Sequence, residues 1–181
     1  QYDYLTGNNF YLDQDSLSSD SVVFKTKYDK RKFDRLLKKE RDHYHVFAEQ
    51  IGLKNWKCFY RNDSLNVGAD QLYLKKVKAE IYRNKLLPDD KTIKPHFGEL
   101  LKNLSFNLGI EKCTIANSEI NYLEKTSTDF PPGELLFKSF DAEITNLGNH
   151  FTDSPLLLKG KCRMMKNADL RFEWKIWVDH P

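Results

Sequence analysis

The chain has no apolar run approaching the roughly 20 residues needed to cross a bilayer as a helix, so no membrane span is predicted in its 181 residues. Cysteine is scarce. Cys58, Cys113 and Cys162 are widely spaced, form no C-x-x-C pair and leave at least one thiol unpaired. That spacing excludes a zinc or dithiol redox motif and predicts small buried hydrophobes, with one disulfide admitted in an oxidising compartment. Catalytic signatures are missing as well: there is no glycine-rich phosphate loop, no G-x-S-x-G elbow, no H-E-x-x-H and no close acid pair in a loop setting. We therefore expect no enzyme, no catalytic residue and no cofactor. Charge of one sign is not in excess, with 29 Lys and Arg against 26 Asp and Glu and a net charge of +3. So mixed a field predicts no nucleic-acid partner. Neither a fixed-period repeat nor a low-complexity tract is visible. The chain opens at Gln1 and lacks a basic start followed by an apolar stretch. It reads as a segment of a longer protein from which a signal or anchor has been removed.

What is present is 40% hydrophobic and 30% charged sequence, enough for a single domain over 1–181 with a core of its own. Period-two alternation dominates. In Val77–Asn84, Val77, Ala79 and Ile81 fall on one side of an extended segment and Lys78, Glu80 and Tyr82 on the other, which is expected to face water. Along 65–85 the apolar phase changes twice, from Leu65, Val67 and Ala69 to Leu72 and Leu74, then to Val77, Ala79 and Ile81. Bulges or short breaks produce such slips and bend the sheet. Further strands are predicted over 21–26, 43–53, 106–122 with slips, 135–147, 156–163 and 168–178. In the last of these, Ala168, Leu170, Phe172, Trp174, Ile176 and Val178 alternate with Asp169 through Asp179. Residues 1–19 predict a short hairpin or a frayed end. Two helices are expected: an amphipathic one near 29–40, started by Asp29 and carrying Phe33, Leu36 and Leu37 on its sheet-facing side, and a short one near 95–104, opened by Pro95 at its first position. Hairpin-length connections favour antiparallel neighbours. The predicted fold is mainly β, a long bent antiparallel sheet forming a trough or partly open barrel.

Each candidate site has a plainer reading beside it. His43 and His45 share one strand face, but no third ligand accompanies them, so no metal is expected and a solvated pair is the simpler account. The basic helix surface suits phosphate groups, yet a solvated face that packs Phe33 inward explains it as well. Asn62-Asp63-Ser64 and Asn103-Leu104-Ser105 match the glycosylation pattern, a common accident. Apolar strand faces serve either a closed core or an open groove.

Lys78-Ala79-Glu80-Ile81-Tyr82-Arg83-Asn84-Lys85-Leu86-Leu87-Pro88 resembles a conserved segment of the AsmA-like proteins of Gram-negative cell envelopes. Four further stretches resemble that family in the same order: Leu100–Lys112, Thr114–Glu124, Pro132–Phe137 and Ala142–Leu147. Ser118 stands where a turn glycine is typical, and Asn84 where an aspartate is common. The resemblance implies a non-enzymatic periplasmic protein, held at the inner membrane by an anchor absent from this stretch, whose bent sheet forms a hydrophobic groove. It also implies phospholipid binding or transport and a part in outer-membrane biogenesis. Other segments of the same long protein or envelope assembly partners are the implied neighbours. The expected groove residues are Val77, Ala79, Ile81, Ile115, Ile120, Ile144, Phe172 and Trp174. The rival expectation is an interaction module with a closed β core.

Overall fold

The computed structural model describes residues 2–151 and 153–178; Gln1 and Asp179 lie outside them. The described residues form ten strands and two helices. Strands β1 (Asp3–Leu12) and β2 (Ser16–Thr26) form a long hairpin, which takes in both the stretch 1–19, expected as a short hairpin or a frayed end, and the strand expected over 21–26. Helix α1 (Lys30–Leu36) follows, then β3 (His43–Lys54), β4 (Lys57–Arg61), β5 (Ser64–Lys75) and β6 (Lys78–Asn84). After helix α2 (Phe97–Lys102) come β7 (Asn107–Lys125), β8 (Gly133–Gly148), β9 (Leu156–Met164) and β10 (Ala168–Ile176). Strand β4 was not expected. It is a hairpin arm whose turn residues Asn62 and Asp63 have φ of 50° and 56°. Positive φ at both central positions is the geometry that Asn and Asp favour in two-residue hairpins, which gives this stretch a structural reason beyond the glycosylation pattern.

The sheet runs β1-β2-β3-β5-β7-β8-β9-β10, and β6 lies end to end with β5 in the slot between β3 and β7. Because β5 and β6 share that slot, the pairings β3–β5–β7–β6 close a ring on paper without closing a barrel. Among the described residues, β1 and β10 remain as edges, and β4, paired only with β5, leaves its other side open. One expectation needs correction: β5 and β6 pair with β7 in parallel. The connection between them, residues 85–106, is no hairpin but a crossover that carries α2 back along the sheet, and such crossovers join parallel strands.

The phase slips read in the sequence become a crease. Left-handed residues lie side by side across the strands: Asn9 (φ 48°) in β1, Ser21 (49°) in β2, Lys76 (48°) at the β5–β6 junction, Asn117 (52°) in β7 and Ser139 (49°) in β8. The registers put Ser21 opposite Glu49, Glu49 opposite Lys76 and Lys76 opposite Asn117, since the flanking pairs Val22–Ala48, Gln50–Lys75 and Lys75–Ala116 are fixed. A lone left-handed residue turns the chain and breaks the alternation. Such residues, present in β1, β2, at the β5–β6 junction, in β7 and in β8, bend that part of the sheet along one line. Ser118, 3% exposed, holds the crease: its Oγ accepts from the Val77 amide and donates to the Ala116 carbonyl, both at 3.0 Å. A glycine there would forfeit both bonds.

Each helix closes a different end. Helix α1 is shorter than expected. Asp29 caps it by accepting from the Lys32 amide at 2.9 Å, but Leu37 is already extended and Leu36 is 46% exposed. Beyond it the Glu40 amide donates to the Pro88 carbonyl and Arg83 grips Asp42, and these ties pull the chain away from a helical path. Phe33 is fully buried, edge-on to Tyr2 and His43. Tyr82, expected to face water, is only 4% exposed because α1 covers it. Its hydroxyl and the Asn84 amide both donate to Asp34, at 3.0 and 2.8 Å. Helix α2 starts at Phe97, two residues later than Pro95 suggested, and plants Leu101 against Leu156 and Val178, with Leu104, Leu108, Ile144, Leu147, Leu158 and Ile176 around them. Strand β10 ends at Ile176, so Val178 belongs to this cluster and not to the strand.

Candidate functional site: an uncovered apolar face

Cross-strand partners share a face, so the registers can be followed from one edge of the sheet to the other. One row runs Phe10, Ser19, Ile51, Leu74, Ile115, Ala142, Gly160 and Phe172. The next runs Leu12, Leu17, Leu53, Leu72, Cys113, Ile144, Leu158 and Trp174. Beyond the crease a third row crosses Leu5, Phe24, Val46, Ala79, Ile120, Phe137, Met164 and Ala168. A shorter fourth holds Tyr44, Ile81, Tyr122 and Leu135. Apart from Ser19, whose hydroxyl donates to the Asn8 carbonyl, these rows hold no polar side chain before the fourth, where the Tyr44 and Tyr122 hydroxyls stand.

The rows on the two sides of the crease belong to one face. A cleft of about 380 Å³ is lined by Leu17, Ile51, Leu53 and Leu72 from before the crease and by Leu5 and Val22 from beyond it. The alternation breaks at the crease, so side chains of opposite parity in sequence arrive on the same side. Gly160 makes room in its row, because a Cβ there would collide with the Phe172 ring; that ring stacks on Phe140 with centroids 5.7 Å apart.

All eight expected groove residues are described. Ala79 and Ile120 are direct partners, Ile81 sits one row further on, Ile115 and Phe172 share a row, and Ile144 and Trp174 share the neighbouring one. Val77 sits at the crease, half-buried. Ile144 differs from the rest in also touching the α2 cluster. Ile51, Leu53, Leu72, Leu74 and Leu158 are not among the expected groove residues, although their parity was there to be followed once the slips were placed. Nor are Phe10 and Leu12 on β1, whose surroundings read as turn-rich.

This face is not a buried core. Among the described residues only eleven hydrophobic residues are buried, and Phe10, Leu12 and Trp174 are 72%, 70% and 57% exposed. The accessible surface is 12359 Å², against about 9,100 Å² for a compact protein of this mass. A sheet closed around its own core would not show that excess. The opposite face is polar. Glu143, Lys159 and Glu173 are successive cross-strand partners, Lys112 reaches Glu143 at 2.6 Å, and Lys76 reaches Glu49 at 2.7 Å.

Burial raises the Cys113 thiol to about 11, and burial with the Glu124 hydrogen bond raises the Tyr122 phenol to about 12, so both stay neutral on the apolar face near neutral pH. The Cys162 thiol is raised too, by burial. All three cysteines are free, and Cys58, expected to be buried, is exposed on β4. His43 is buried with Nε2 2.8 Å from the Tyr28 carbonyl, His45 is exposed, and among the described residues no group of three or more His, Cys, Asp or Glu is placed to hold a metal ion.

Compared with family models, curated proteins and solved structures, the chain has no match. No helix among the described residues is long and apolar enough to cross a membrane.

Proposed function

We propose that the chain is a non-enzymatic segment of an AsmA-like envelope protein that holds phospholipid acyl chains along its apolar face, in the periplasm, as part of lipid transport and outer-membrane biogenesis. The observation that carries the reading is the continuity of apolar rows across eight strands, uncovered by either helix over most of their length. Each methylene moved from water onto such a surface is worth about 0.8 kcal/mol when fully buried. The crease adds concavity, and the cleft between β1 and β5 offers a place deep enough for a chain to lie in.

Native mass spectrometry with lipid extraction, on protein purified from a bacterial envelope, tests this. Bound phospholipid lost in Ile81→Asp with the fold intact supports it. A folded, lipid-free protein defeats it and favours a second reading, an interaction module. That reading draws on the edges β1 and β10, whose main-chain groups are open to strand addition by another segment or partner.

A further inference from the structure

On the polar side, where β4, β5, β7 and the end of β8 meet, the registers line up Lys57, Gly68, Gly109 and Gly148. Leu108 packs into the α2 cluster on the apolar side, so Asn107 and Gly109, its neighbours in β7, belong to the opposite side. Gly68 and Gly109 give a floor of bare main chain, with the His150 side chain lying against Gly109. One wall is the row Phe59, Asn66 and Asn107, in which Asn107 Nδ2 donates to Asn66 Oδ1 at 3.0 Å. The other holds Asp70 and its β7 neighbour Glu111, with Asn55 Nδ2 donating to Asp70 Oδ2 at 2.7 Å. Four residues of strand separate the walls, about 13 Å. The space between them is about 280 Å³, and His150 and Phe151 close its end.

We propose that this slot binds a neutral saccharide. Planar amides and carboxylates, each presenting a pair of polar atoms, match the paired hydroxyls of a pyranose ring, and the apolar ring face suits Phe59, which is 48% exposed. Lys57 and Glu111 have no hydrogen-bond or ion-pair partner among the described residues and remain available to a ligand. The charges argue against other ligands. Asp70 and Glu111 repel phosphate, while the Lys57 ammonium and the Asn55 donor on Asp70 oppose a cation. An acyl chain would strand the polar walls.

The test is titration of the whole chain with maltotetraose, cellotetraose and chitotetraose, followed by backbone amide shifts in NMR. At least one of them moves the Gly68 and Gly109 amides, and Glu111→Ala or Phe59→Ala weakens that binding about tenfold. Gly68→Val, which fills the floor, abolishes it; because its Cβ lies 3.3 Å from the Gly109 carbonyl and strains the site, the two exposed substitutions decide the matter. If none of the three saccharides moves these amides, if binding survives both exposed substitutions, or if calcium chloride alone shifts the site, the proposal falls.

Discussion

The two faces of this sheet are built from the same strands and are held in opposite ways. On one, aliphatic and aromatic side chains stand in rows broken only at Ser19 and Gly160, and few are sealed from water. On the other, exposed charges alternate in sign, as in Glu143, Lys159 and Glu173. A globular β protein puts its apolar face against a second layer. Here only the six-residue α2 lies on the apolar face, over one end of it, while the seven-residue α1 packs on the opposite face over His43 and Tyr82. Stability is thus concentrated at the ends, around Phe33 and around Leu156, while the middle of the apolar face stays available.

The strongest way to break that comparison is to strike a sealed and an open residue on the same side. Leu156→Ala removes a side chain 2% exposed in the α2 cluster and should cost about 3 kcal/mol in denaturant unfolding. Trp174→Ala, 57% exposed in a neighbouring row, should cost under about 1 kcal/mol despite removing more atoms. Equal costs would mean the face is covered after all. Charges sharpen the contrast. Ile144→Asp, which touches the cluster, should destabilise by about 3 kcal/mol or more, whereas Ile81→Asp, half-buried, should cost less than about 2 kcal/mol and remove any co-purifying lipid.

A smaller loss is expected where α1's flank is tied down. Arg83 Nε and Nη2 donate to the two Asp42 oxygens at 2.6 and 2.7 Å, and the side chains are 21% and 18% exposed. Asp42→Asn should cost about 1–2 kcal/mol, with the β7–β10 half unaffected in hydrogen exchange.

Much of this was legible from alternation alone. The strands around Ala79, Ile81 and Phe172, and the two phase changes in 65–85, are local patterns, and local patterns survive folding. What was not legible depended on distant partners. Tyr82 alternates with the polar side of its strand, and only the arrival of Asp34 from α1 explains its burial. The residues at positions 84 and 118 acquire reasons in the same way. Asn84 donates to the Asp34 carboxylate, where an aspartate would repel it, and Ser118 bridges two backbone groups at the crease. The parallel pairing of β7 was hidden because 85–106 carries a loop composition that says nothing of its direction across the sheet.

The thiols divide along the same line between sealed and open. Cys58 is exposed and should react within minutes with a soluble disulfide reagent at pH 8, while Cys113 and Cys162 should not until the protein is denatured. The linkage has a definite sign. Burial raises Cys113 from its ordinary 9.0 to about 11, so between those pH values the unfolded thiol ionises and the folded one does not. Its contribution is intact below pH 9 and is lost as pH rises towards 11. A Cys113→Ala variant should show a flatter decline across that window.

The least effect is expected from the charge ladder. Lys159 lies 3.4 Å from Glu173, with the two side chains 58% and 49% exposed, and a pair so well hydrated contributes at most a few tenths of a kcal/mol. Lys159→Ala should therefore leave the unfolding midpoint almost unchanged, and half-molar salt should do the same. Its value to this comparison lies in the other direction. If removing Lys159 or adding salt weakened the protein by about 2 kcal/mol or more, the polar face would be carrying the sheet, and the half-open apolar rows would no longer be needed to explain why it holds together. A null result leaves the end clusters and the crease as the structural supports, and leaves the charges to keep one face of the sheet in water.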